Sequence, residues 1–370
     1  MLMEPKQATL KVAYDHEIFA TQRYGGVSRY FAELIARGTA HGISPRVFAP
    51  LHVNQHLDEI APLAGGQFLK LNRFSGLLAR RVDEQVAPRR MAHWQPAVVH
   101  ETWLPRRPPV IPGAATVVTI HDMIHELYDL AAKGDPTASL KTEAIQRAHR
   151  VICVSESTRR DLLRLHPLAE AKTRVVHHGF TAVRPDPDAP CSTSPPYLLF
   201  VGKRAGYKNF ARLLEAFALG AARRGFMLLC VGGGPFVSAE RSSIGRLGLS
   251  GSVIQEEASD ALLATLYRNA AAFVFPSEYE GFGFPPLEAM AAGCPTIVSR
   301  ASAIPEICGN ASAYFDPREI GDLSSAIDEV ISSPARVEAL RQAGFARLAH
   351  FSWERCVHET AAVYREAAGA

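Results

Sequence analysis

Glu280 and Glu288 are the carboxylates whose surroundings most suggest chemistry. They lie in the run Glu280-Gly281-Phe282-Gly283-Phe284-Pro285-Pro286-Leu287-Glu288, with seven residues between them. Gly281 and Gly283 carry no Cβ, so their backbone N–H groups stay open to a ligand. The prolines suit a first helical turn, which predicts a helix over Pro286–Ala292 with Glu288 in that turn and Glu280 on the preceding loop. Two carboxylates about one ligand length apart, flanking free N–H groups, suit a substrate with hydroxyls at both ends and phosphates between. The competing reading is a packed Gly-Phe-Gly-Phe turn, with Glu288 placed for the helix dipole.

A second run, Gly202-Lys203-Arg204 through Gly206-Tyr207-Lys208-Asn209, joins a strand to a helix beginning near Asn209. Cations beside a helix N-terminus oppose its dipole, which favours anions there. Arg204 and Lys208 therefore read as ligands of a polyanion shared with the helix end, against the plainer reading of a solvated basic turn. A third run, Tyr24-Gly25-Gly26-Val27-Ser28-Arg29-Tyr30, opens the first helix; Gly25 and Gly26 allow close approach of an anion or simply make a tight turn. His121 and Asp122 close a predicted strand at its carboxyl edge. His121 and His125 have the i,i+4 spacing of metal ligands but lack the helical context, so no metal is expected.

These groups need elements to hold them. Apolar strand runs alternate with helical patterns: Leu10–Tyr14, Pro45–Phe48, Val98–His100, Thr116–Ile120, Arg150–Val154, Tyr197–Val201, Met227–Val231, Phe273–Phe275 and Thr296–Val298. Helices are expected over Gly26–Arg37, Ser157–Leu165, Phe210–Leu219 and Asp260–Asn269. Such alternation predicts parallel sheets covered on both faces. Residues 181–196 carry five prolines in 16 residues and almost no large apolar side chain. They read as a linker, and two doubly wound α/β domains follow, with ligands expected beyond the carboxyl ends of the strands in the cleft between them.

The chain has 370 residues and a formal net charge of +3, too near neutral for a nucleic-acid partner to be expected from bulk charge. Residues 1–180 hold 23 Lys and Arg against 17 Asp and Glu, net +6; residues 181–370 are net −3. The six cysteines show no metal-ligand spacing. Neither a secretory leader nor a spanning apolar stretch is read, so a cytoplasmic protein is expected. A nicotinamide oxidoreductase would need Gly-x-Gly-x-x-Gly after its first strand, and the run Val231 to Pro235 does not supply it.

The motif around Glu280 and Glu288, E-G-F-G-F-P-P-L-E-A-M, resembles the signature of glycosyltransferase family 4. YGGVSRYF resembles that family's N-terminal Gly-rich loop, VTIHD its central His-Asp loop and VGKRAGYKNF its diphosphate-binding loop. The terminal FSWERCVHETAAVYREA resembles the helix that crosses back to the first domain. The resemblance implies a GT-B fold: a Rossmann-like acceptor domain over 1–180, a linker over 181–196, a nucleotide-sugar domain over 197–350 and a returning helix over 351–370. It implies a retaining hexosyltransferase, with mannose or a related sugar favoured, acting on a saccharide or lipid-linked acceptor in polysaccharide synthesis. A UDP-sugar-dependent glucosyl- or N-acetylglucosaminyltransferase is the alternative enzyme; a non-catalytic sugar-nucleotide-binding subunit is the other class.

Under that resemblance Glu288 takes the ribose hydroxyls. Glu280 takes the donor sugar, aided by backbone groups of Gly281, Phe282 and Gly283. Arg204 and Lys208 take the diphosphate, His121 lies near the transferred sugar, and Gly25 and Gly26 join the donor site. Lys203 and Arg204 both precede Lys208, and which one pairs with it stays open. The nucleotide sugar is a co-substrate; no cofactor and no metal are implied, since cations and helix ends can stabilise the leaving phosphate.

Arg73, Arg80, Arg81, Arg89 and Arg90, interleaved with Phe74, Leu77 and Leu78, form a basic amphipathic stretch. It suits peripheral contact of the first domain with the inner face of an anionic membrane, or else a solvated helix face.

Overall fold

The computed structural model describes residues 9–60, 67–68, 75–128, 134–184, 195–204 and 206–369. The fold divides into two units. Unit 1 takes Met1–Gly179 with Ser352–Ala370, and unit 2 takes Phe180–Phe351. Each is built on a six-stranded, all-parallel sheet, which is the doubly wound α/β class expected from the alternating pattern.

In unit 1, β1 (Leu10–Tyr14), β2 (Ile43–Val47), β5 (Val98–Glu101), β6 (Ala115–Ile120), β7 (Arg150–Cys153) and β8 (Thr173–Val175) lie in the order β2-β1-β5-β6-β7-β8. The short strands β3 (Leu51–His52) and β4 (Gln67–Phe68) pair separately. One sheet face buries Val12, Tyr14, Val98, Val117 and Ile152 against Phe31 and Ile35 of the helix Gly26–Gly38. The same core holds Trp353, Val357 and Tyr364 of the helix Trp353–Ala368. That helix is capped by Ser352, whose hydroxyl accepts from Arg355 N. The opposite face buries Ala13, Phe48 and Val99 against Ala87 and Met91 of the helix Ser75–Trp94.

In unit 2, β9 (Tyr197–Val201), β10 (Met227–Val231), β11 (Val253–Glu256), β12 (Ala272–Phe275), β13 (Thr296–Ser299) and β14 (Ala313–Phe315) lie in the order β11-β10-β9-β12-β13-β14. The central strands are apolar on both faces, as burial between two helical layers requires. Helix Phe210–Leu219 docks through Phe210, Leu213, Leu214 and Phe217, a stripe at i, i+3, i+4 and i+7.

Strand order reverses between β1 and β5 in unit 1 and between β9 and β12 in unit 2. Adjacent strands there send their following loops to opposite faces, which opens a crevice at the carboxyl ends of each pair. Unit 2 places the 202–209 and 276–283 loops at its crevice.

Candidate active site

The loop after β9 begins at Gly202, whose φ of +123° is open to glycine and costly for other residues. It packs against the loop after β10. A Cβ on Gly233 would lie 3.0 Å from Gly202 O and 3.3 Å from the Lys203 Cα, so this close approach requires a glycine. Arg204 fastens the two turns. Its Nε donates to Glu240 Oε1 at 2.8 Å, Nη1 to Gly232 O at 2.8 Å and Nη2 to Gly234 O at 2.7 Å. Its side chain is 3% exposed. The guanidinium read from sequence as a diphosphate ligand is thus committed to its own domain, while Lys203 beside it is exposed.

A single 3-10 turn, Gly206–Lys208, then delivers Lys208 across the crevice, where Nζ reaches Glu280 Oε1 at 2.5 Å. The pair is mostly enclosed, with the side chains 17% and 13% exposed, and the ammonium also lies 5.6 Å from the Phe275 ring. Glu278 N donates to Tyr207 O at 2.7 Å, and Arg212 Nη1 reaches Glu278 Oε1 at 2.5 Å, so backbone and side chains bind the two loops together. Beside Lys208, Asn209 takes a left-handed φ of 61°, which asparagine tolerates better than most residues. Its side chain bonds Pro317 O and Arg212 instead of capping the helix Phe210–Leu219. The helix N-terminus therefore lacks a side-chain cap, an arrangement suited to an anion.

Glu280 N donates to Ser302 Oγ at 2.7 Å, which fixes the backbone that carries the carboxylate. Gly283 has φ +127°, and a Cβ there would meet Ile304 Cδ1 at 3.1 Å. The ring of Phe282 is buried, 5.1 Å from Phe284 and 5.7 Å from Phe351, so only its backbone faces the loop's polar side. The helix that follows runs Phe284–Ala291, two residues earlier than the prolines predict, because Gly283 serves as its N-cap. Glu288 accordingly sits in the second turn, not the first. The buried Tyr267 hydroxyl donates to Glu288 Oε2 at 3.2 Å.

In unit 1, a short helix, Glu17–Thr21, stands between β1 and the Gly25-Gly26 turn, which the sequence reading places directly after the strand. Gly25 is the N-cap of Gly26–Gly38, and a Cβ there would run into the Gln22 side chain at 2.6 Å. Gln22 Oε1 already accepts from Ser28 N, filling part of the donor set at that helix end. Tyr30 of this helix meets the ring of His121 edge-on at 5.6 Å. His121 is stacked 6.4 Å from Trp103 and 5.4 Å from His178. Burial lowers its pKa to about 4, Asp122 pulling up and Lys141 down, so the imidazole is neutral. Its Nε2 has no hydrogen-bond partner among the described residues. Asp122 Oδ1 accepts from Ile124 N, and Lys141 Nζ donates to Asp122 O and Glu126 Oε2, both at 2.9 Å. His125 faces Asp135 at 4.0 Å, and no metal-ligating group of three or more side chains occurs among the described residues.

The structure thus brings Lys208 and Glu280 into contact and sets Glu288 one helix further on. It turns Arg204 to the glycine turn and Glu240, and links the Gly26 helix to His121 through the rings of Tyr30 and Phe31. Glu240, Tyr267 and Ser302 were not legible as site residues. The one available signal was the triplet Gly232-Gly233-Gly234, whose carbonyls receive Arg204. In the basic stretch, Arg73 and Phe74 and the side chains of Leu77 and Leu78 lie outside the described residues. Arg80 departs from the membrane-facing reading. It turns inward to Glu17, 3.4 Å away, and Glu84, 3.3 Å away.

Comparison with known proteins places this geometry. Residues 24–184 match the family model for Glycosyltransferase Family 4 and residues 187–347 the model for Glycosyl transferases group 1. The serotype-specific mannosyltransferase WbdA of Escherichia coli is 28% identical over 266 residues, 66% of this chain and 32% of that one. The chain spans about a third or less of the first curated relatives it matches. Among solved structures, sucrose-phosphate synthase from Thermosynechococcus elongatus aligns with a TM-score of 0.73 at 21% identity, covering 96% of this chain and 98% of that one. Anabaena Alr3699/HepE, solved in complex with UDP, aligns with a TM-score of 0.68 at 16% identity over 95% and 98% of the two chains. At these identities the solved structures bear on the fold alone. No helix among the described residues is long and apolar enough to cross a membrane.

Proposed function

The chain belongs to glycosyltransferase family 4, and from that premise we propose that it transfers a hexosyl group, with retention, from a nucleoside-diphosphate sugar to a saccharide or lipid-linked acceptor. The observation that carries this reading is the Lys208–Glu280 pair at the β9/β12 crevice, beside the helix end at Phe210 that has no side-chain cap. A cation and a helix N-terminus suit the diphosphate, and the carboxylate suits the hydroxyls of the sugar. Glu288, steadied by Tyr267, is the ribose ligand in this reading.

Lys203 and Lys208 are the cations that meet the phosphates, and Arg204 is the strut that shapes their loop, since its donors are already taken up by Glu240 and four turn carbonyls. These lysines take the place of a metal ion; activity that persists in excess EDTA is the expected result. The bond from the anomeric carbon to the phosphate oxygen breaks as the bond to the acceptor oxygen forms on the same face. The acceptor proton passes to the leaving phosphate. His121 offers a neutral, unpartnered Nε2 as a hydroxyl ligand.

The mannosyltransferase relative favours GDP-mannose and a role in surface polysaccharide such as O-antigen. A UDP-sugar, the nucleotide class held by the HepE neighbour, is the second reading. A thermal-shift series with GDP-, UDP-, ADP- and dTDP-sugars discriminates, because a ligand that binds only the native state raises Tm with its concentration. GDP-mannose should give the largest shift and support turnover. A shift with no turnover for any donor and a range of acceptors would favour a non-catalytic binding subunit.

A further inference from the structure

A concentration of exposed positive charge lies on unit 1, along the edge of its sheet. In-register parallel neighbours project to the same face, so Lys11 and Ala13 of β1 share a face with Arg46 of edge strand β2. The helix Ser75–Trp94 covers that face and ends at Trp94, leaving a groove of about 620 Å³. Lys11, Arg46, Arg89, Arg90 and His93 line it, all exposed, over Phe48 and Trp94, and none of its lining residues is acidic.

The groove is built, not merely basic. Lys11 Nζ donates to Trp94 O at 3.2 Å and lies 5.5 Å from the Trp94 ring. Arg46 is held 5.5 Å from the Phe48 ring and 5.8 Å from that of Trp94. Cations stacked on rings lose rotamer freedom before any ligand arrives, which lowers the cost of binding. The same stacking occupies the aromatic surface, so a neutral sugar has little of it to lie on. Among the described residues none of Lys11, Arg46, Arg89 and Arg90 has a carboxylate within 4.0 Å, the contrast with Arg80 one helical face away. Arg90 is felt electrostatically by the buried Asp83, but no carboxylate among the described residues touches the cluster; its like charges repel one another, and a multivalent anion relieves that repulsion. Arginine forks and a lysine match phosphate oxygens.

We propose that this groove is a phosphate-binding site, separate from the donor loops, that takes either a soluble phosphorylated ligand or the headgroup of an anionic lipid. Two probes separate the sources: inorganic pyrophosphate followed by hydrogen exchange, and co-sedimentation with vesicles of phosphatidylcholine with or without phosphatidylglycerol. Exchange over residues 89–95 should slow with millimolar pyrophosphate, or the protein should sediment with the anionic vesicles only. In Arg46→Gln/Arg89→Gln/Arg90→Gln the responding probe should lose at least tenfold in affinity, while nucleotide-sugar binding and Tm hold. Arg89→Gln alone should lose severalfold, which keeps the test open if the triple variant folds poorly. A response to pyrophosphate alone identifies a soluble ligand, and a response to vesicles alone identifies a lipid. Protection confined to residues 202–209, or equal binding by wild type and variants in both assays, overturns the site. Donor binding, read in the same samples, tests the glycosyltransferase reading independently.

Discussion

The two crevices where strand order reverses are built on the same topology and finished in opposite ways. Between β9 and β12, glycine turns bring backbone close together and a single ion pair, Lys208–Glu280, spans the loops. Between β1 and β5, the protein's own charges fill the space. Asp15 Oδ1 accepts from Thr102 N at 3.0 Å, from Glu17 N at 3.2 Å and from the Thr102 hydroxyl, and Arg147 holds Glu101 through Nε and Nη2. Asp15, His16, Glu17 and Glu101 are all buried there. Burial raises the carboxyl pKa values, to about 6 for Asp15 and about 7 for Glu17 and Glu101, and lowers that of His16 to about 4. One crevice is spanned by a single ion pair over glycine turns, and the other is filled by buried carboxyls and their hydrogen-bond partners. A topological switch point marks where a site can form; the side chains decide whether one does.

Substitutions that break this contrast should rank by crevice. Lys208→Ala and Glu280→Gln should cut transfer by about 10²–10³-fold, the scale of one lost preorganised charge contact, with little change in Tm. Steady-state kinetics and a melting curve check both halves of that statement. Asp15→Ala should do the reverse: three donors lose their acceptor, for about 2–4 kcal/mol of stability. That corresponds to a fall in Tm of roughly 5–15 °C for a unit of this size, read by calorimetry.

Glu17→Gln sharpens the comparison through pH. The native pKa of Glu17 is raised from 4.5 to about 7, chiefly by burial, with Asp15 adding and Arg80 opposing. The native state therefore binds this proton more tightly than the unfolded chain. Its contribution is full below about pH 4.5 and is lost as pH rises towards 7. The variant lacks that loss, so its Tm relative to wild type should climb by a few °C between pH 5 and pH 8, at about 2–4 °C per kcal/mol. A flat difference would mean that Arg80 already compensates the ionised form. The smallest effect is expected for Tyr267→Phe, which removes the Tyr267 hydrogen bond to Glu288: KM for the donor should rise about two- to fivefold with kcat held, as loss of one modest hydrogen bond implies.

Much of this was legible in the sequence because it depends on local pattern. Apolar runs such as Tyr197–Val201 leave few readings other than a buried parallel strand, and Phe210–Leu219 carries its stripe openly. β8, β11 and β14 escaped notice because they are edge strands whose residues are partly exposed, as Val253–Glu256 illustrates, so no apolar run announces them. At the site, Lys208 and Glu280 were readable from their loops and the contact between them was not, since 72 residues separate them. Arg204 is the instructive case. Sequence gives its charge and its place beside Lys208, while its direction is set by the carbonyls of a distant glycine triplet and by Glu240. The direction of Arg80 was hidden for the same reason: its partner Glu17 lies on another helix.

The helix Trp353–Ala368 has a consequence for synthesis. Trp353, Val357 and Tyr364 are integral to the core of unit 1, and Gly179 lies so close to Trp353 that a Cβ would come within 2.5 Å of its Cα. On the ribosome, the residues of unit 1 that emerge first must wait for all of Phe180–Phe351 before that helix exists. At about 5–20 residues per second the wait is roughly 10–30 s. The half of the chain made first is thus the last to close, and a nascent chain stalled or cut before Ser352 would carry a finished unit 2 behind an open, apolar-faced unit 1. Such a fragment should be a preferred client of chaperones, although every residue of its first sheet is already in place.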